Sequence, residues 1–172
     1  MKLTELLPLE NWMELETEIH RRFGLDANVF DTAGVRISEF KAWVNRLCPE
    51  IKATDRGQSF ICAVAHMNIA GQAMQTRQPV AEECDAGLVK IVVPVFLDDQ
   101  FLGAVGACGV LLDDGEVDTF LIEKIAGIEE ETTRPLAEGI GAITSGQAEE
   151  IVQFIQEKIR RIVDDYKLSR KA

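Results

Sequence analysis

Two apolar runs joined by three polar residues limit what this chain can fold into more than any other feature. Val89 to Leu97 reads as a β-branched run, apolar but for Lys90, the pattern of a strand buried on both faces. Asp98-Asp99-Gln100 supplies a hairpin connection, and Phe101 to Leu112 returns as the partner strand. Pro94 marks an edge or a bulge in the first strand. Gly103, Gly106 and Gly109 imitate a phosphate loop, but they lie within an apolar strand after a hairpin. A dinucleotide fingerprint needs strand, glycine turn and helix in that order. Glycine inside a strand instead permits close approach of a backbone, a bulge or a ligand.

Helical and strand patterns flank the hairpin. Between Pro8 and Phe23, Trp12, Leu15, Ile19 and Phe23 recur at three- and four-residue steps, and Gly24 follows as a stop. His20 falls off that apolar line and reads as a surface histidine. Ala27 to Asp31 and Val35 to Ser38 make a short hairpin about Thr32-Ala33-Gly34. Phe40 to Leu47 reads as a short helix ended by Cys48-Pro49, because proline disfavours helix in the residue before it. Lys52 to Gly57 is a polar loop, and Gln58 to Arg77 a long helix closed by Gln78-Pro79. Pro79 to Glu83 then forms a short strand and Cys84 to Leu88 a turn or bulge. After the Asp113-Asp114-Gly115 turn a helix carries Phe120, Ile122, Ile125 and Ile128. A break falls at Thr132 to Pro135, and a short helical stretch runs to Ile143.

Thr144-Ser145-Gly146 divides a body, residues 1–145, from a C-terminal amphipathic helix, residues 146–172. Val152, Ile155, Ile159, Ile162 and Tyr166 form a narrow seam on that helix, suited to a homodimer, to signal transmission or to docking on the body. The fold class these patterns give is α+β, an α/β sandwich of an antiparallel sheet flanked by helices, with further helices at both ends.

Charge narrows the partners. The chain carries 18 basic against 29 acidic residues, a net charge of −11, with no basic stripe before the last dozen residues. Direct binding of nucleic acid or of an anionic membrane by the body is therefore not expected. Eight carboxylates between Asp113 and Glu131 face the single Lys124 and read as a solvated surface. The N-terminus lacks a signal-peptide pattern and no apolar run is long enough to span a bilayer, so a cytoplasmic location is expected.

Four cysteines and one histidine are the residues that look chosen for chemistry. Cys62, His66, Ile69 and Ala73 fall one turn apart on one helical face. Each of the first two, taken alone, reads as a core residue; their company is what suggests a site. Cys48 lies at a helix exit, Cys84 opens a turn and Cys108 sits in mid-strand. Their spacings of 14, 22 and 24 residues match no zinc-finger pattern.

The opening strand-Asp-x-x-Gly-strand is common in PAS- and GAF-like sensors. More specifically, Cys62, then Pro79-Val80, then Cys84-Asp85-Ala86-Gly87-Leu88, then Val93-Pro94-Val95, then Phe101-Leu102-Gly103-Ala104 resembles the PocR sensory domain, a relative of both. Asn45 and Cys48 also resemble that family's upstream asparagine and cysteine, so the resemblance spans residues 27–112. It implies sensing of a small organic metabolite and association with an output module, such as a DNA-binding or kinase segment. Two departures stand out. Asp85 replaces the histidine usual after the motif cysteine, and Cys108-Gly109-Val110 replaces the usual glycine-glutamine. Asp85 accepts hydrogen bonds only, which favours a ligand bearing a hydroxyl, an amine or a cation.

Three functions follow. In the favoured one, sheet segments 27–38, 80–97 and 101–112 form one wall of a cavity and the helices from 40 and 58 its lid. Cys62, His66, Cys84, Asp85 and Cys108 contact a small organic ligand there, with Met67 or Met74 as adaptable lining. Binding shifts lid against sheet, and the terminal helices report it to an output protein. Alternatively, Cys48, Cys62, His66, Cys84 and Cys108 supply ligands to zinc, an iron–sulfur cluster or haem. Thiol catalysis by Cys84 with His66 as base ranks last, since Asp85 next door would raise the thiol pKa. A non-catalytic role without a resident cofactor is the expectation.

Overall fold

The computed structural model describes residues 1–171. Its antiparallel core is formed by β1 (Asp26–Asp31), β2 (Val80–Glu83), β3 (Val89–Leu97) and β4 (Gln100–Leu112), in the order β1-β4-β3-β2. A two-residue strand, β5 (Ala142–Ile143), adds in parallel to the end of β4. The β3–β4 hairpin lies at the centre; β3 has the expected bounds, while β4 begins one residue early, at Gln100, which leaves Asp98-Asp99 as a two-residue turn. Pro94 occupies both environments open to it: β2 covers β3 only as far as Val92, and the register with β4 shifts between Val95 and Phe96.

Strand alternation gives the sheet two unlike faces. Ala27, Val29, Ile91, Val93, Val105 and Ala107 point to one side and join the main core. Against them pack α1 (Leu3–Leu6), α2 (Leu9–Phe23) and the long C-terminal α8 (Ser145–Ser169). Helix α2 buries the expected Trp12, Leu15 and Ile19 and ends on Gly24 in the left-handed conformation that glycine adopts without strain. Buried Glu16 ties α2 to β1, accepting from the Val29 amide at 2.9 Å and the Ser38 hydroxyl at 2.5 Å. Ala148, Ile151, Ile155 and Ile159 of α8 are buried in the same core, so the C-terminal seam docks on the body. A Thr144–Gln147 capping box starts that helix.

The other face is roofed by α3 (Leu47–Ala53), α4 (Asp55–Gly57), a π-helical stretch (Gln58–Ala63) and α5 (Val64–Thr76). Leu47, Ile51 and Ile61 of this lid pack with Ala86 and with Ile122 of α6 (Thr119–Ala126), while Ile69 and Ala73 pack on Val92 and Ala104. No helix among the described residues is long and apolar enough to cross a membrane.

Several local expectations are corrected. Residues 40–46 are not helical; the helix begins at Leu47, where its end was expected. Pro49 falls in the first turn, where its missing N–H has no helical partner to lose. Cys48 is therefore at a helix entry. Residues 52–57 are mostly helical rather than a loop. Thr132 to Pro135 lies inside α7 (Glu130–Ala137) rather than breaking a helix, and β5 replaces the helical stretch expected before Ile143. The partner of β1 across the 32–34 turn is reduced to a bridge between Phe30 and Arg36. His20 is half-buried, with Nδ1 3.0 Å from the Leu25 carbonyl oxygen.

Candidate functional site

Residues directly opposite in a sheet share a face. Asp26 and Lys90 are both registered opposite Cys108, one on each side of β4, while Asn28 is opposite Gly106 and Phe30 opposite Ala104. This is the face under the lid, and the space between them is a cavity of about 740 Å³. The sheet contributes Asp26, Asn28, Phe30, Lys90 and Cys108 to its lining. From the lid come Cys48, Lys52, Ile61, Cys62, His66 and Met67. Cys84, Ala86 and Leu88 close one side from the turn before β3, and Arg36 and Trp43 line it from the segment after β1.

Local sequence explains the positioning. Asn45 anchors the entry to α3: its Oδ1 accepts from the Leu47 and Cys48 amides at 2.9 and 2.7 Å, and its Nδ2 donates to the Gly109 carbonyl at 2.7 Å. The same Nδ2 lies 3.2 Å from Cys48 Sγ. Glycines in β4 make room, as expected of strand glycines: a Cβ on Gly106 would stand 2.4 Å from Asn28 Oδ1, and one on Gly109 2.6 Å from Val44 Cγ2. Cys62 and Ile61 sit on the π-helical stretch, a rare geometry that recurs at functional sites.

Burial sets the electrostatics. The Cys48 thiol is pushed up to about 12 by burial, with the neighbouring Cys108 adding to it, and Cys62 to about 11, again by burial first. Burial also raises Cys84, against opposing hydrogen bonds from the Leu88 and Ala86 backbone. His66, 4% exposed, is lowered to about 3 by burial and then by the Lys90 and Lys52 charges, so it is neutral at physiological pH. Asp26 is raised by burial, opposed by Arg36, Lys52 and Lys90.

Four buried polar atoms lack any hydrogen-bond partner among the described residues: Asp26 Oδ1, Asn28 Oδ1, Arg36 Nε and His66 Nδ1. All four residues line this cavity. An unsatisfied buried group costs about 1–3 kcal/mol, so native proteins rarely keep one without a reason.

Of the residues expected at the site, the structure gathers Cys62, His66, Cys84, Cys108 and Met67, and adds Cys48. Asp85 is not among them: it is exposed on the turn and points no carboxylate into the cavity lining. Met74 also lies outside, 43% exposed. No three His, Cys, Asp or Glu side chains among the described residues are grouped so as to hold a metal ion. Sequence reasoning missed Asp26, Asn28, Phe30, Arg36, Lys52 and Lys90. Two signals pointed to some of them: polar Asp26 and Asn28 alternate with Ala27 and Val29, and Lys90 is the one charge inside the Val89–Leu97 run.

An antiparallel sheet with helices on both faces, one face roofing a cavity, is the build of a PAS/GAF-like sensory domain. The chain belongs to the family whose model is described as the sensory domain found in PocR, which matches residues 5–166. That match extends beyond residues 27–112, where the motifs lie, to take in α2 and most of α8. No curated protein and no solved structure matches the chain.

Proposed function

We propose that this sensory domain binds a small organic molecule in the cavity between sheet and lid, and that the terminal helices pass the event to an output protein. The observation that carries this reading is the convergence of four unpartnered buried polar atoms on one cavity. An apolar lining with a few converging polar groups is what a small-molecule site requires. The lid and the terminal helices grip opposite faces of the same β3–β4 hairpin, so a shift of the lid can bias the packing of α2 and α8. Support for a non-catalytic role comes from the thiols: burial favours the protonated form of Cys48, Cys62 and Cys84, and no hydrogen bond joins Cys84 to His66 among the described residues. A thiolate nucleophile needs the opposite environment.

Thermal unfolding in the presence of a panel of organic metabolites tests the proposal, with Cys62→Phe as a variant that fills the cavity. A ligand at a hundred times its Kd stabilises the wild type by about 2.7 kcal/mol. That stabilisation disappears in Cys62→Phe; stabilisation that survives it places the ligand elsewhere and removes the proposal.

A further inference from the structure

We propose that the ligand is a small organic acid bound as its anion, with Lys90 as the principal counter-charge. This rests on the reading of the cavity as a ligand site. The chain as a whole holds 29 acidic against 18 basic residues, so an unselected lining would be acidic. The cavity inverts the balance: Arg36, Lys41, Lys52 and Lys90 line it against the single carboxylate of Asp26. A concave site of one sign focuses the field and concentrates ions of the other.

No carboxylate lies within salt-bridge distance of Lys90 among the described residues. Lys90 is 8% exposed on an inner strand. Glu82, its cross-strand neighbour, accepts from Gln72 at 3.0 Å instead. The Phe30 ring lies 5.4 Å from the Lys90 Nζ. Buried charges are normally paired, because desolvation disfavours them otherwise. Arg36 adds a second unmet demand in the same cavity, since its buried Nε–H has no acceptor among the described residues. An incoming anion satisfies both.

The rest of the wall defines the rest of the ligand. Phe30, Trp43, Ile61 and Leu88 present apolar surface that inorganic phosphate would leave uncovered, so the anion sits on an apolar body. Amines and other cations, which Asp85 had suggested, meet repulsion from Lys90, Lys52 and Arg36, while Asp85 itself is exposed outside the cavity.

The test uses two fluorescent probes with the same aromatic body, 1-anilinonaphthalene-8-sulfonate and the uncharged N-phenyl-1-naphthylamine, titrated into the full chain. The anionic probe is expected to bind at least about tenfold more tightly, the scale of a charge-assisted hydrogen bond. Lys90→Met abolishes the preference without weakening the neutral probe, Lys90→Arg restores it, and Cys62→Phe weakens both probes. Circular dichroism checks that each variant folds. Equal affinities in the wild type, or a preference that survives in Lys90→Met, overturn the anion assignment and leave the cavity reading standing. Probe binding untouched by Cys62→Phe overturns the cavity reading and the assignment with it.

Discussion

The imidazole of His66 lies on the ring of Phe30, with centroids 3.7 Å apart and 28° between the planes. The stack joins α5 of the lid to the edge strand β1 across the cavity. Gly34 closes the same corner: a Cβ there would stand 3.3 Å from His66 Cδ2 and 2.7 Å from Met67 Sδ. The lid is thus seated on β1 through an imidazole that must stay neutral to remain buried.

Acid should therefore loosen the fold through His66. Its folded pKa of about 3 lies below the ordinary 6.5, so folding expels a proton. Its contribution is constant above pH 6.5 and is lost progressively as pH falls from there toward 3. Asp26 and Glu16, both raised by burial, run the other way and gain stability as they protonate. The variant His66→Phe keeps a stacking ring and cannot charge. Thermal melts from about pH 7 down to pH 4 should show a shallower decline for it than for the wild type. Parallel curves would remove His66 as the acid-sensitive group.

Asn45 should matter for stability out of proportion to its half-exposed position. It satisfies two amides at the start of α3 and one carbonyl of β4 at once. Asn45→Ala is expected to lower unfolding free energy by about 1–3 kcal/mol in urea denaturation. Asn45→Asp keeps the acceptor and loses the donor to Gly109, so it should fall between. A loss in Asn45→Ala as small as at an ordinary surface site would mean that α3 is held by its packing alone.

How much of this was legible depended on periodicity. The β3–β4 hairpin, α2 and the Cys62-His66-Ile69-Ala73 face were, because burial on one side leaves a repeat of two or of three to four residues. Residues 40–47 read as a helix in the sequence because Pro49 reads as a stop. The same proline is compatible with a first turn, and only the Asn45 contact to Gly109, sixty-four positions away, decides between the two. A two-residue strand such as β5 has no period to read. The cationic lining of the cavity was hidden for another reason: Arg36, Lys52 and Lys90 lie on three different segments, and each alone is an ordinary charge. Register brings Lys90 onto the face of Asp26, and register is a tertiary property.

Two glycines should respond in opposite directions to the same substitution. Gly103 has φ of 146°, and a Cβ there would stand 2.1 Å from the Phe30 carbonyl oxygen. Gly103→Ala is expected to cost more than about 3 kcal/mol, since both strain and backbone overlap must be relieved. Gly71 lies within α5 with nothing within 4 Å of the added methyl. Gly71→Ala should stabilise by about 0.4–1 kcal/mol by restricting the unfolded chain. Denaturant midpoints of the pair check both; a tolerated Gly103→Ala would mean β1 can move away from β4.

The Cys48 and Cys62 thiols should be inert while the protein is folded. With Cys48 near 12 and Cys62 near 11, little thiolate exists at neutral pH. Alkylation by iodoacetamide at about pH 8 should run more than about a hundredfold slower in the native protein than in urea. Mass spectrometry of the modified chain reads this site by site. Prompt alkylation of Cys62 in the native state would show that its thiol is not held in the protonated form.

Deleting residues 146–172 should unfold the domain rather than release a separable arm. The segment carries Ala148, Ile151, Ile155 and Ile159, all at or below 7% exposure and all in the core that also holds Trp12, Ile91 and Val105. Losing a buried isoleucine costs about 2–5 kcal/mol, and three are lost together, against a total stability of about 5–15 kcal/mol for a typical domain. Ion pairs reinforce the docking from outside: Lys158 meets Glu18 of α2 at 2.6 Å, and Lys167 meets Asp98 of the β3–β4 turn at 2.7 Å. The single change Ile155→Asp should have nearly the same effect as the deletion, because it buries a charge without a partner. Circular dichroism melts and sedimentation of both variants decide the matter. A truncated chain that melts cooperatively near the wild-type temperature would show that α8 is dispensable to the core, and a change from dimer to monomer in that case would return the seam to a role in pairing two chains.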